Sequence, residues 1–219
     1  MKIHKAGFSV IIVAILLFVA ILTVLKITVS ASAFYVAVFV FICLLVFIFR
    51  FFRLPNRTIQ FADNQVVAPA DGTIVVIEEV DETEFLKEKC IQISIFMSVW
   101  NVHINWVPVI GKVIQVLHFN GAFIKARLPK SSNQNERSVT VIETGQGKKI
   151  VVKQIAGAVA RRIITYAKPD QVSKPGDQLG FIRFGSRVDV LLPVGSKVHV
   201  NLNQKVTGGL TLLANLPDK

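Results

Sequence analysis

Two long apolar runs open the chain, and a pattern of period two fills the rest. Phe8 to Leu25 carries no charge, Lys26 interrupts, and Ile27 to Phe49 is again uncharged. Each run approaches or exceeds the roughly 20 apolar residues that cross a bilayer core. They predict a helical hairpin that turns around Lys26 to Ser32. Lys2 and Lys5 flank one outer end, and Arg50, Arg53 and Arg57 flank the other. Positive charge on both flanks predicts that both ends face the cytoplasm. A signal peptide is the rival reading, with Ala31-Ser32-Ala33 as its cleavage site. The first run is longer than a usual signal core and a second span follows at once, so the hairpin is preferred.

After Arg57 apolar residues alternate. Ile91, Ile93, Ile95 and Met97 share one face of Cys90 to Met97. Thr73 to Val80, Ser138 to Glu143, Ile150 to Ile155, Val188 to Leu192 and Lys197 to Val200 also read as short strands. Turns punctuate them at Ala70-Asp71-Gly72, Gly145-Gln146-Gly147, Lys174-Pro175-Gly176-Asp177 and Pro193-Val194-Gly195. The expectation is a mainly β protein. A membrane hairpin with a basic juxtamembrane segment spans 1–57, and a compact β barrel or sandwich spans 58–219. No long amphipathic helix, P-loop, dinucleotide fingerprint or zinc motif is visible after residue 57.

Composition sharpens this picture at three points. The chain is 52% hydrophobic, with mean hydropathy +0.55, and the excess sits in the two N-terminal runs. A net charge of +11 suits an anionic surface. Beside a membrane segment it favours anionic lipid over nucleic acid, for which no aromatic-basic signature is present. Cys43 lies inside an apolar span, so a disulfide to Cys90 is not expected.

Candidate chemistry centres on Phe181-Ile182-Arg183-Phe184-Gly185-Ser186-Arg187-Val188-Asp189-Val190, two strand edges meeting at a corner. A hydroxyl directly after a glycine carbonyl can attack it and turn the amide into an ester. Elimination and hydrolysis then leave a pyruvoyl group on a new chain end. Gly-Ser alone is common in turns, and Gly195-Ser196 is a second example.

Three stretches set Ser186 apart: Ala68-Pro69-Ala70-Asp71-Gly72, then Phe96-Met97-Ser98-Val99-Trp100-Asn101-Val102-His103-Ile104-Asn105-Trp106-Val107-Pro108, then Arg183-Phe184-Gly185-Ser186-Arg187-Val188-Asp189. In this order and spacing the chain resembles the phosphatidylserine decarboxylases, in their short, archaeal-type form. Asn135-Glu136-Arg137 and the segment Phe51 to Arg57 add to the likeness. The resemblance implies a self-cleaving proenzyme that converts phosphatidylserine to phosphatidylethanolamine and CO₂ in phospholipid biosynthesis. It implies cleavage at Gly185–Ser186 into a large chain, 1–185, and a small chain, 186–219. It also implies a covalent pyruvoyl cofactor made from Ser186, which forms a Schiff base with the substrate amine, with neither pyridoxal phosphate nor metal. The implied partners are phosphatidylserine, anionic membrane lipid and the chain's own two fragments, with a homodimer left open. The implied location is the inner (cytoplasmic) cell membrane.

By the same resemblance His103 is the candidate proton donor and Asp71 a candidate for processing. Longer members pair that aspartate with a second histidine three residues after the first, where this chain has Trp106. The processing base therefore stays open between His103 and Asp71 aided by backbone strain. His118 and His199 read as structural or surface residues, and His4 as part of the membrane flank. Arg137, Arg183 and Arg187 are guanidinium candidates for the lipid phosphate, with solvated surface positions as the default. Arg50, Arg53 and Arg57 read as facing anionic headgroups. The alternative to an enzyme is a membrane-anchored adaptor with a biotinyl- or lipoyl-like barrel, suggested by Ala70 to Ile74 and Lys174 to Gly180.

Overall fold

The computed structural model describes residues 2–121, 135–157, 162–183 and 186–217. The chain divides into two units, Met1–Asn56 and Arg57–Lys219.

The first unit is the hairpin. Helix α1 spans Phe8–Thr28 and α2 spans Ala31–Phe51, so the turn is confined to Val29 and Ser30. Both helices are apolar on all sides, with Leu16 and Phe39 about two-thirds exposed. Both are long and apolar enough to cross a bilayer. Phe18 and Phe41 stack between them with ring centroids 4.6 Å apart. Strand β1 (Lys2–Ile3) pairs antiparallel with β2 (Arg53–Leu54), joining the two ends of the hairpin. His4 is buried beside this ribbon, where its Nδ1 accepts from the Ala6 N–H at 3.3 Å.

The second unit is mainly β, as its alternation predicts. Its strands are β3 (Gln65–Val67), β4 (Gly72–Glu82), β5 (Glu88–Met97), β6 (Ile104–Trp106), β7 (Gly111–Phe119), β8 (Arg137–Glu143) and β9 (Lys149–Ala156). They continue with β10 (Ile163–Thr165), β11 (Val172–Ser173), β12 (Gln178–Ile182), β13 (Ser186–Pro193), β14 (Lys197–Val198), β15 (Lys205–Val206) and β16 (Leu212–Asn215). Eight form one antiparallel sheet in the order β11-β7-β8-β9-β13-β5-β4-β15. Register breaks at Ile74/Val76 and Val113/Gln115 mark bulges, which bend strands and increase their twist. The sheet curls as a half-barrel. Two three-stranded sheets, β10-β12-β6 and β14-β16-β3, supply its cover. Among the described residues no helix follows residue 56.

The core lies between these layers. Ile93, Ile95, Val152, Val188, Val190 and Leu192 on the large sheet pack with Leu179, Ile182 and Leu213 of the small ones. The opposite face carries a second cluster, Cys90, Val139, Val141, Val151 and Leu191, with Phe85 and Leu86 of the β4–β5 turn folded against it.

Candidate active site

Strand β13 places Ser186. It pairs with β5 on one side and β9 on the other, with Ser186 opposite Met97 and Ala156. Strand β12 ends at Ile182 in another sheet; the corner expected at Phe184 and Gly185 lies outside the described residues. Ser186 is completely buried, and its Oγ donates to the Met97 sulfur at 3.2 Å. The competing Gly195-Ser196 is an ordinary turn. Gly195 takes φ +88°, and the Ser196 hydroxyl is spent on the Pro193 carbonyl at 2.7 Å.

His103 reaches this region by a local device. β5 ends at Met97, and Ser98 to Asn101 reverses the chain. The Ser98 N–H and Oγ both donate to Asn101 Oδ1, at 2.9 and 2.7 Å, while the Asn101 N–H donates to the Ser98 carbonyl. His103 follows, completely buried, and its own carbonyl accepts from the Ile182 N–H at 3.2 Å. Its Nδ1 lies 3.0 Å from the Asn101 carbonyl. A carbonyl only accepts, so Nδ1 carries the proton of the neutral ring. The turn thus ties His103 to the strand end opposite Ser186.

A chain of polar groups, buried as far as Gln154, runs beneath the serine. Asn105 Nδ2 donates to the Met97 sulfur at 3.6 Å. Gln154 Nε2 donates to Asn105 Oδ1 at 2.7 Å. Thr165 Oγ1 donates to Gln154 Oε1 at 3.4 Å and bonds Ser138 Oγ at 2.7 Å. Gly180 makes room for it, since a Cβ there would sit 2.5 Å from Gln154 Nε2. Sequence reasoning missed Met97, Asn105 and Gln154. The available signal was an uncharged amide at the centre of each apolar stretch.

Asp71 is not brought to Ser186. It precedes β4, with β5 between it and β13, which puts it about 10 Å away at two strand spacings. Its carboxylate is fully engaged elsewhere. Arg57 Nη1 and Nη2 donate to Oδ1 and Oδ2 at 2.7 and 2.8 Å, and the Gly208 N–H donates to Oδ1 at 2.8 Å. Arg57 Nη1 also donates to the Gly208 carbonyl at 2.7 Å, and the guanidinium lies 4.5 Å from the Trp106 ring centroid. Gly208 is required for the fit, because a Cβ would meet Trp106 at 2.5 Å.

This geometry corrects three expectations. Arg57 does not face lipid headgroups; the Asp71 carboxylate and the indole face hold it within the second unit, with its side chain 11% exposed. Arg187 is no surface arginine. It is buried, donating from Nε to Asp189 at 2.6 Å and from Nη2 to Ser94 at 2.8 Å, because its position on β13 alternates onto the opposite face, the one that carries Leu191 and the folded β4–β5 turn. Arg137 is likewise buried, bonded to Glu84 at 3.0 Å with its guanidinium over the Phe119 ring. His118 and His199 are exposed, as expected.

The comparisons with known proteins give the family. The family model for phosphatidylserine decarboxylase matches residues 44–214. The phosphatidylserine decarboxylase proenzyme of Parabacteroides distasonis is 50% identical over 218 residues, covering 99% of both chains. That of Porphyromonas gingivalis is 51% identical over 221 residues, covering both chains completely, and that of Burkholderia pseudomallei is 44% identical over 202 residues, covering 92% of this chain and 93% of the relative. Fold, ordered motifs and full-length similarity converge: the chain belongs to the phosphatidylserine decarboxylase family.

Proposed function

We propose that this chain is a self-cleaving, pyruvoyl-dependent enzyme that decarboxylates phosphatidylserine to phosphatidylethanolamine at a membrane surface. The observation that carries the reading is a completely buried serine at the head of a central strand, directly after the Gly185–Ser186 bond, with His103 held in one tautomer on the adjoining turn. Family membership sets the adaptor alternative aside.

In maturation, Ser186 Oγ attacks the Gly185 carbonyl. The Oγ–C bond forms, the C–N bond breaks, and the hydroxyl proton passes to the released nitrogen. Loss of the Ser186 α-proton then breaks the Cβ–Oγ bond, freeing Gly185 as a carboxylate. Water replaces the nitrogen, which leaves as ammonia. Ser186 suits the resulting group, because its side chain points at a thioether that tolerates a methyl as well as a hydroxyl. When formed, the pyruvoyl carbonyl supplies the electron sink for loss of CO₂. We assign to His103 the return of a proton to the α-carbon, through Nε2. Asp71 takes a supporting part in processing, tying the turn at Gly208 to the Ala68–Gly72 segment. The positive flanks Lys2, Lys5, Arg50 and Arg53 support a catalytic domain on the cytoplasmic side of the inner membrane.

Intact mass spectrometry of the detergent-purified protein tests the reading. The expected result is a small fragment beginning at residue 186 with a blocked, pyruvoyl-containing end, and a single uncut chain for Ser186→Ala. An uncut wild-type chain, or a fragment beginning at residue 196, overturns it. His103→Ala is expected to lower phosphatidylethanolamine formation at least about 100-fold, and wild-type turnover of the cleaved variant would remove His103 from the chemistry.

A further inference from the structure

We propose that Met97 is a positioning residue for Ser186, selected because its sulfur suits that position both before and after cleavage. The inference rests on the conversion of Ser186 described above.

Before cleavage, the buried hydroxyl needs an acceptor, and among the described residues the one it has is the Met97 sulfur at 3.2 Å. A thioether accepts weakly. It is enough to set the direction of the O–H bond and so to fix where the oxygen lone pairs point. It is weak enough to be surrendered when that proton must leave during attack on the carbonyl. The sulfur is itself held, since Asn105 Nδ2 donates to it and Gln154 holds Asn105 from behind. All four residues are completely buried, so no bulk water competes.

After cleavage the oxygen has departed with Gly185, and the former side-chain carbon is a methyl. A carbonyl or carboxylate at this position would then face a methyl with no donor, a costly state for a buried polar group. A thioether packs against a methyl as an apolar atom. Few side chains meet both demands, and leucine, which fills a similar volume, meets only the second.

The chain's composition makes the test unusually clean. It has two methionines, Met1 and Met97, so replacing methionine biosynthetically changes one position inside the β domain. Protein made with norleucine keeps the shape but has CH₂ in place of sulfur; protein made with selenomethionine keeps a weak acceptor. The rate of appearance of the fragment beginning at residue 186, followed by mass, is expected to fall roughly three- to tenfold with norleucine. It should stay within about twofold of wild type with selenomethionine. Met97→Leu should behave as norleucine does, with thermal melting confirming that it folds.

Equal cleavage rates for the methionine and norleucine proteins overturn the role of Met97 while leaving the proposed reaction intact. So does a selenomethionine protein slowed as much as the norleucine one. Methionine protein that is never cut at residue 186 overturns the reaction itself, and this inference with it.

Discussion

At the scale of single residues, the site is defined by what each polar side chain is committed to. Arg57, Asp71, Trp106 and Gly208 form one closed arrangement in which both carboxylate oxygens, both terminal guanidinium nitrogens and an indole face are in use. Removing the arginine leaves a largely buried carboxylate without its counter-charge. Arg57→Ala is therefore expected to cost about 3 kcal/mol, read as a drop of roughly 6–12 °C in melting temperature in detergent. A melting temperature within a degree of wild type would show the pair to be incidental. Ser186 and His103 stood out in the sequence because ordered motifs mark them. Arg57 was not, because its partners lie 14 and 151 positions away, and a basic residue after an apolar span reads as a lipid contact. Met97 was hidden differently. It continues the alternation of Ile91, Ile93 and Ile95, so it reads as core, which it also is.

At the scale of elements, the turn between β4 and β5 shows a charge organising backbone. Glu82 Oε2 accepts the N–H groups of Phe85 and Leu86 at 2.7 and 2.8 Å, and Oε1 takes Lys153 at 3.1 Å. Burial pushes this carboxyl up, but the two N–H bonds and the lysine outweigh it and hold it below its ordinary 4.5. The stabilisation is therefore full above the ordinary value and is lost as pH falls through the depressed one. Glu82→Gln is expected to cost about 2 kcal/mol at pH 7. The gap to wild type should close in acid, where both side chains are neutral; urea melts across pH 3 to 7 would show it, and a constant gap would refute it. Strands with clean alternation, such as β5 and β13, were readable in advance. β7 was not, and β12 was read only at its Phe181-Ile182 end. A bulge at Val113/Gln115 breaks the period of one, and Gly180, kept for close contact with Gln154, interrupts the other.

At the scale of the whole molecule, one curled sheet separates two environments. One face holds the serine, its thioether and the amide ladder; the other holds Cys90 in the second apolar cluster. Burial, reinforced by the Glu82 charge, pushes the Cys90 thiol up to about 11. The thiolate is the reactive form, so Cys90 is expected to resist iodoacetamide at pH 8 until the domain unfolds. Rapid native labelling, located by peptide mass, would contradict that packing.

The central place of β13 has one more consequence. Cutting the chain before Ser186 yields a small piece that owns β13, β14, β15 and β16, with β13 zipped between β5 and β9. That piece carries neither of the apolar helices. The uncut protein can unfold and refold as a single body, a first-order process indifferent to dilution. The cut one must find its missing strand again, a second-order search, and only one of the two partners carries helices long and apolar enough to cross a membrane. A mature molecule that opens fully therefore disperses rather than recovers. Its working life is set by how slowly it first comes apart, not by how favourably it would reassemble.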